Sequence, residues 1–180
     1  WYRITIHGHA AHAGLEPEKG VNATVEVARI VNELTKLENK SLGTSVVPTT
    51  MTSGTTTNTV PALATLDIDS RSFSLDEMQR IDSAIRSITP IHPDARIEIA
   101  GGINRPPLET SATLPLYQVA EKLAKDAGIS TLGSASVGGA SDGNFAGQFT
   151  HVLDGLGAVG DGAHANHEHI LASTLEPRSK

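Results

Sequence analysis

The chain has 180 residues, a formal net charge of −6 at pH 7 and no cysteine, so disulfides and cysteine-ligated metals are excluded. Its 14 basic residues are dispersed, which argues against nucleic acid as a partner because phosphate binding needs a concentrated basic surface. No apolar run approaches the ~20 residues that cross a bilayer, and no signal peptide is visible, so we expect no membrane partner and a cytoplasmic location.

The first hundred residues predict six secondary-structure elements. Four segments have strand patterns, either alternation of apolar and polar residues or enrichment in Thr and Val. These segments cover residues 2–8, 44–53, 59–71 and 95–100. Helical spacing of apolar residues predicts one helix over 21–38 and another that begins after Ser74. Ser74 and Glu77 have the spacing of a capping box.

The resulting order, βαββαβ, is that of a ferredoxin-like α+β domain with two helices on one face of a four-stranded antiparallel sheet. We therefore predict such a domain at residues 1–101. An exposed sheet edge needs protection from unwanted pairing. A dimer that extends the sheet edge to edge would supply it.

Beyond this domain, the Gly- and Pro-rich stretch at 101–107 predicts a crossover into a second segment, residues 102–180. The patterns there predict a helix at 112–127 and a Gly-rich loop at 138–144 that opens a short helix. They also predict a short strand at 150–153. This segment is too small and irregular for a complete domain, so we expect part of an α/β domain. Both chain ends have the patterns of regular structure, so we expect a fragment of a longer protein.

Six of the eight histidines fall in two clusters, at 7–12 and 164–169. Neutral imidazole is a common zinc ligand and acid–base group. His7 and His9 share a strand face, a pattern that fits two ligands or two exposed strand residues. His12 lies among small residues in the loop before the first helix, so its ring is accessible, and both a functional role and simple exposure fit its position.

In the second cluster, His164 ends a loop with three glycines, which let the backbone pass close to a ligand or metal. A metal ligand at the carboxyl edge of a sheet fits this position, and so does an incidental surface histidine. His167 and His169 are predicted to lie at a solvated helix start. His92-Pro93-Asp94 matches the His-x-Asp pattern of many metal sites, but its Pro-rich setting predicts a turn.

Two more polar residues flank the strand at 59–71. Arg71 ends this strand on a face that also carries Asp67 and Asp69. Its guanidinium could bind a ligand carboxylate in two bonds, or form a surface ion pair with a neighbouring aspartate. Asn58, just before Val60-Pro61, could cap a turn or face a ligand.

Four segments, in order along nearly the whole chain, resemble those of a known family. They are Thr5–Ala23 with its His7-Gly8-His9-Ala10-Ala11-His12-Ala13-Gly14 run, Asn58-Thr59-Val60-Pro61 followed by Asp69-Ser70-Arg71, Gly138-Gly139-Ala140-Ser141-Asp142, and Asp154-Gly155-Leu156-Gly157 with Gly162-Ala163-His164. Together they resemble co-catalytic zinc peptidases, the glutamate carboxypeptidases and aminoacylases. The first two segments resemble the dimerisation (lid) domain of that family, and the last two its returning catalytic segment.

The resemblance implies a role for each matching residue. His12 would reach the partner subunit's active site and stabilise the developing oxyanion. Asn58 would help to position the substrate, and Arg71 would bind its free carboxylate. The Gly138-Gly139 pair would line the substrate pocket through its backbone, in a loop shaped by Asp142. His164 would bind one of two zinc ions.

For the whole protein, the resemblance implies a homodimer formed through the lid domain. The reaction would be hydrolysis of an amide bond beside a free carboxylate, as in a C-terminal glutamate or an N-acyl amino acid. Each complete site would hold two Zn²⁺ ions, with Co²⁺ or Mn²⁺ as alternatives, because His and carboxylate ligands accept several metals.

The sequence departs from the family in its metal ligands. The family's His-x-Asp motif, bridging Asp and Glu-Glu pair lie upstream of the lid domain, and this chain contains no Glu-Glu pair. We therefore expect this chain alone to be inactive and to bind zinc weakly. Two alternatives keep the fold: a dimerisation or binding module without catalysis, and an unrelated ferredoxin-like domain that binds metal through His7, His9 and His12.

Overall fold

A computed structural model describes residues 1–129 and 132–179 of the protein. Its main sheet has four antiparallel strands in the order β2-β3-β1-β4. The strands are β1 Tyr2–His7, β2 Ser45–Ser53, β3 Leu63–Arg71 and β4 Arg96–Gly101. Helix α1 (Ala23–Leu34) connects β1 to β2, and α2 (Leu75–Arg86) connects β3 to β4. The predicted ferredoxin-like α+β fold is confirmed.

The core lies between this sheet and its two helices. The alternation of the sequence places every second residue of a strand on the helix side. The buried sheet residues of the two central strands are Tyr2, Ile4, Ile6, Ala64, Leu66 and Ile68. The helices cover them with Val27, Ile30, Leu34, Ile81 and Ile85. The other sheet face carries mainly charged and Thr side chains.

Strand β3 begins at Leu63 rather than at the predicted residue 59. Pro61 has no backbone N–H and cannot donate to a strand ladder. The residues before it pair instead with the loop after β1, where Val60 N donates to Ala11 O at 2.8 Å. Because residues 58–60 lie outside the sheet, their backbone pairs with the loop that contains His12.

The predicted capping box at the start of α2 is wrong. Ser74 occupies the N-cap position, but its side chain makes no capping hydrogen bond. Glu77 bonds instead to Arg80 at 2.7 and 2.9 Å and to the Thr44 hydroxyl at 2.8 Å. The first helical N–H, that of Leu75, donates to Glu109 at 2.8 Å. A carboxylate from the second segment thus caps this helix.

The second segment contains α3 (Thr110–Asp126), α4 (Gly143–Ala146), the short pair β5 (Gly160–Asp161) and β6 (His169–Ile170), and α5 (Leu175–Arg178). The strand predicted at 150–153 is wrong. These residues have no strand partner among the described residues, and Val152 N donates to Ala112 O in α3 at 2.9 Å. The helix start predicted at His167 and His169 is wrong too, because His169 pairs within β6.

Helix α3 has the predicted apolar stripe, but the described residues leave this stripe largely uncovered. Leu116, Val119 and Leu123 are 39%, 54% and 62% exposed. Only Ala124 of this helix is buried. No helix in the described ranges is both long and apolar enough to cross a membrane. Short 3₁₀ turns occur at Pro17–Lys19, Thr35–Leu37, Lys40–Leu42 and Ala172–Thr174.

Candidate functional site

The loop after β1 holds His12 against the segment that precedes β3. Ala13 N donates to Asn58 O at 2.8 Å, and His12 pairs with Thr59 in an isolated antiparallel bridge. These backbone bonds bring His12 and Asn58 together at one end of the sheet. Both side chains are exposed. Asn58 makes no side-chain hydrogen bond within the described part of the chain, so its amide is available to a ligand.

A tight crossing of the segment just before α1 fixes where this loop begins. His9 and Val21 exchange two backbone hydrogen bonds, at 3.1 and 2.9 Å. A Cβ on Gly8 would lie 2.0 Å from the Val21 carbonyl oxygen, so only glycine fits at this crossing. Immediately afterwards, the Asn22 side chain caps α1 by accepting from two backbone N–H groups of the first turn.

The His12 ring is oriented by backbone donors. Its Nδ1 accepts hydrogen bonds from Gly14 N at 3.1 Å and Leu15 N at 3.2 Å. A nitrogen that accepts hydrogen bonds carries no proton, so the neutral ring has its proton on Nε2. The geometry therefore makes His12 a hydrogen-bond donor through Nε2.

Arg71 lies at the far end of β3 and joins the sheet to the Gly-rich loop. Its Nε and Nη2 donate to the Asp69 carboxylate at 2.8 and 3.1 Å. Its Nη1 donates to the Gly138 carbonyl oxygen at 2.8 Å. The hydrogen bonds from Arg71 hold the pKa of Asp69 below its usual range. The sequence left a ligand carboxylate and a surface ion pair as alternatives, and the structure forms the ion pair while keeping the guanidinium exposed.

An open cleft of about 1160 Å³ lies between the sheet end and the second segment. Arg71, Phe73 and Tyr117 line it, together with the Gly138-Gly139 pair. A Cβ on either glycine would meet nothing within 4 Å. The fold therefore does not require glycine at these two positions, and their lack of side chains leaves the loop backbone accessible.

Asn144 and Asp154 shape the Gly-rich loop, a role that the sequence patterns assigned to neither residue. Asn144, only 9% exposed, accepts from Ser141 N at 2.8 Å and donates to Pro106 O at 2.9 Å. Asp154 accepts from the Ser141 hydroxyl at 2.5 Å. Asp142, to which this role was assigned, makes no side-chain capping bond at the start of α4. The sequence signal was weak, because one polar residue in a four-residue helix has no diagnostic spacing.

His164 lies neither in the loop that holds His12 nor in the cleft that Arg71 lines. It is exposed and has a φ of 65°, the only positive φ among the described non-glycine residues. No group of three or more His, Asp or Glu residues in the described ranges could hold a metal ion. A two-zinc centre needs more ligands than this, so these residues do not fit such a centre unaided.

The first histidine cluster does not form a metal site either. His7 Nε2 lies 3.5 Å from Glu98 on β4, and His9 is exposed beside α1. The alternative of a local metal site at His7, His9 and His12 is therefore wrong for the described residues. His92-Pro93-Asp94 lies in a turn, as predicted.

The candidate residues thus form two groups at opposite ends of β3. His12 and Asn58 lie before its first residue, and Arg71 is its last. The strand has nine residues, from Leu63 to Arg71. At about 3.3 Å per residue its ends are roughly 26 Å apart. A small substrate cannot contact both groups of one chain at once.

Comparisons with known proteins find similarity to peptidases. The sequence profile of the peptidase dimerisation domain matches residues 1–93. Carboxypeptidase G2 from Pseudomonas sp. (strain RS-16) is 28% identical over 186 residues, covering 99% of this chain and 44% of that protein.

Two solved structures have the same fold. Aminopeptidase PepT from Bacillus cereus aligns with a TM-score of 0.68 at 22% identity, over 99% of this chain and 48% of that one. A tripeptidase from Staphylococcus aureus aligns with a TM-score of 0.62 at 19% identity, over 93% of this chain and 45% of that one. The chain therefore spans about half the length of these relatives.

Proposed function

The chain belongs to the peptidase dimerisation domain family, and from this premise we propose that it is part of a homodimeric, metal-dependent amidohydrolase. Residues 1–101 would form the dimerisation domain, and residues 102–180 part of the catalytic domain. Two positive-φ glycines, Gly101 and Gly102, lie at the proposed boundary and support this division. The uncovered apolar stripe of α3 supports the second assignment, because a catalytic domain would bury it.

The observation that carries the proposal is the separation of the two candidate groups along β3. Because His12 and Asn58 lie roughly 26 Å from Arg71 in one chain, a shared substrate requires two chains. In a twofold dimer, each site would combine Arg71 and the Gly138-Gly139 loop of one subunit with the His12 and Asn58 of the other. The dimer would then be a condition of catalysis.

Strand β2 is the sheet edge best suited to this dimer. The other edge, β4, is short and carries Arg96 and Glu98 on its open face, and charged side chains discourage edge pairing. The β2 strand is nine residues long and contains no charged residue. Its Val47 and Met51 are 45% and 54% exposed. Pairing of two such edges beyond Pro48, which has no N–H to donate, would cover part of these side chains and continue the sheet across both subunits.

The substrate would be an amide with a neighbouring free carboxylate, either a C-terminal glutamate or an N-acyl amino acid. Arg71 would bind the carboxylate, since a guanidinium forms two parallel hydrogen bonds with it. His12 would donate from Nε2 to the oxygen on which negative charge develops, a contribution that is large in a site shielded from water. Asn58 would orient the same group through its amide.

His164 would supply one metal ligand from this chain. Its left-handed backbone conformation is uncommon for a residue with a Cβ, and such strain is found more often at functional positions. The remaining ligands to two zinc ions, or to Co²⁺ or Mn²⁺, would come from the other half of the protein. The non-catalytic dimerisation module stays as the second candidate, because the described residues contain no group of metal ligands.

Subunit complementation tests the composite site. In the full-length protein that contains this chain, His12→Ala and Arg71→Ala homodimers should both be nearly inactive at substrate concentrations near the wild-type KM, with residual activity measurable only at high substrate. A heterodimer of the two, purified with two affinity tags, has one intact site out of two and should recover about half of the wild-type activity. The matched control is the His12→Ala and Asn58→Ala heterodimer, which has no intact site and should stay inactive.

Three outcomes separate the alternatives. Recovery in the first heterodimer alone supports a site shared between subunits. No recovery in either heterodimer contradicts it, because residues that act within one chain cannot complement in this way. A wild-type protein that hydrolyses neither C-terminal glutamyl amides nor N-acyl amino acids favours the non-catalytic module.

A further inference from the structure

The guanidinium of Arg71 has two edges that can bind a carboxylate in two bonds, Nε with Nη2 and Nη1 with Nη2. Asp69 occupies the first edge, at 2.8 and 3.1 Å. The two residues are separated by one position on β3, so both project from the open sheet face. The first edge is therefore closed to any other carboxylate.

The second edge points towards the Gly-rich loop. Nη1 donates to the Gly138 carbonyl oxygen at 2.8 Å, and both residues line the same cleft. The Arg71 side chain is 60% exposed and has four rotatable bonds. Apart from Asp69, the described residues provide no side chain that hydrogen-bonds to this guanidinium.

We propose that Asp69 is a positioning residue that binds the Nε–Nη2 edge of Arg71 and turns the Nη1–Nη2 edge into the cleft as the recognition edge for the substrate carboxylate. This inference rests on the proposed role of Arg71 and adds a second residue and a fixed orientation to it. The substrate carboxylate would share Nη1 with the Gly138 carbonyl or replace that carbonyl there.

Loss of the Asp69 charge has two opposing consequences, and the experiment measures which one is larger. Without the negative charge of Asp69, Arg71 attracts a substrate carboxylate more strongly, and the KM of an acid substrate falls. Without the two-bond contact, of which Asn can keep only one bond, the guanidinium loses its orientation, and that KM rises. Exposed charges are screened by solvent, whereas two-bond recognition depends strongly on geometry. We therefore expect the loss of orientation to dominate, with a KM about tenfold higher.

A matched control lies two residues away on the same strand and face. Asp67 makes an equivalent two-bond contact with Arg3, at 2.6 and 2.9 Å. Asp67→Asn thus removes the same charge from the same surface without touching the Arg71 contact. Any general effect of charge or sheet stability should appear in both variants, and an effect on Arg71 should appear only in Asp69→Asn.

The test compares N-benzoyl-L-glutamate with its α-carboxamide as substrates of the full-length protein. Asp69→Asn should raise KM for the acid about tenfold, change kcat less than about twofold, and leave the amide unaffected. Asp67→Asn should leave both substrates within about twofold of wild type. In an Arg71→Ala background, Asp69→Asn should have no further effect, because its only route to the substrate is removed.

An equal change for acid and amide, an unchanged or lower KM for the acid, or a further effect in the Arg71→Ala background would each overturn the positioning role. Circular dichroism of each variant identifies unfolding. If Arg71→Ala itself leaves the preference for acid over amide unchanged, the proposed function of Arg71 fails, and this inference fails with it. A null result for Asp69 alone leaves that proposed function standing.

Discussion

Glu26 connects α1 to the turn between α2 and β4, and its replacement should weaken the dimerisation domain. It is a helix residue that is only 5% exposed. Its carboxylate accepts from Ile91 N at 3.0 Å and from His92 N at 2.8 Å. Arg29 donates to it at 3.2 Å and to the Thr89 carbonyl oxygen at 2.7 Å. Two segments about 65 residues apart are thus joined through one carboxylate.

The magnitude follows from the groups that lose their partner. Glu26→Ala removes two backbone hydrogen bonds to a charged acceptor, each worth roughly 1.5–3 kcal/mol, so we expect a loss of about 3 kcal/mol. Glu26→Gln keeps one acceptor oxygen and should lose about 1 kcal/mol. Glu33→Ala is the matched control. Glu33 bonds to the same Arg29 from an exposed position, so its loss should cost no more than about 0.5 kcal/mol.

The pKa of Glu26 gives the pH at which this test should be made. Desolvation acts to raise this pKa, but hydrogen bonds from His92 and Ile91 and the bond from Arg29 outweigh it, so the pKa is lowered. A group with a lowered folded-state pKa contributes its full stability above its unfolded pKa and loses it as the pH falls. The contribution is therefore complete at pH 7.

Urea denaturation at pH 7, followed by circular dichroism at one protein concentration, measures the difference. A fixed concentration is needed because the stability of the proposed dimer would depend on it. For a chain of this size, about 3 kcal/mol corresponds to a fall in Tm of roughly 6–12 °C. If Glu26→Ala and Glu33→Ala lose the same stability, the buried carboxylate does not hold the turn and the reasoning is refuted.

Two further predictions concern other residues. Hydrogen bonds from Arg80 and then from Thr44 lower the pKa of Glu77 to about 2. Its contribution is full above the unfolded pKa of about 4.3 and fades as the pH falls towards 2. The stability difference between wild type and Glu77→Gln should therefore shrink from pH 5 to pH 2 in urea titrations, and a pH-independent difference would contradict this assignment. His164→Asn should keep the fold within about 0.5 kcal/mol, since Asn tolerates a left-handed backbone, while lowering the metal content of the full-length protein. Unchanged metal by elemental analysis would exclude His164 as a ligand.

The sequence alone determined the dimerisation domain fold, because local periodicity records which faces are buried. Alternation in β1 and β3 and helical spacing in α1 gave each element and its core face. The order of elements then limited the topology to the ferredoxin-like arrangement. Errors occurred where periodicity carried no information, as at 150–153, where the short Thr-His-Val-Leu stretch resembles a strand but bonds to a helix.

Only the tertiary structure decided which polar residues act together. Glu26 has the sequence pattern of a solvated helix residue, and its burial depends on a turn about 65 residues later in the chain. Arg71 contacts Gly138 across 67 positions, and Asn144 joins two loops 38 positions apart. The distance between His12 and Arg71 follows from the length of one strand in the folded sheet. Hydrogen bonds and ion pairs depend on positions in space, and sequence spacing specifies those positions only within a single element.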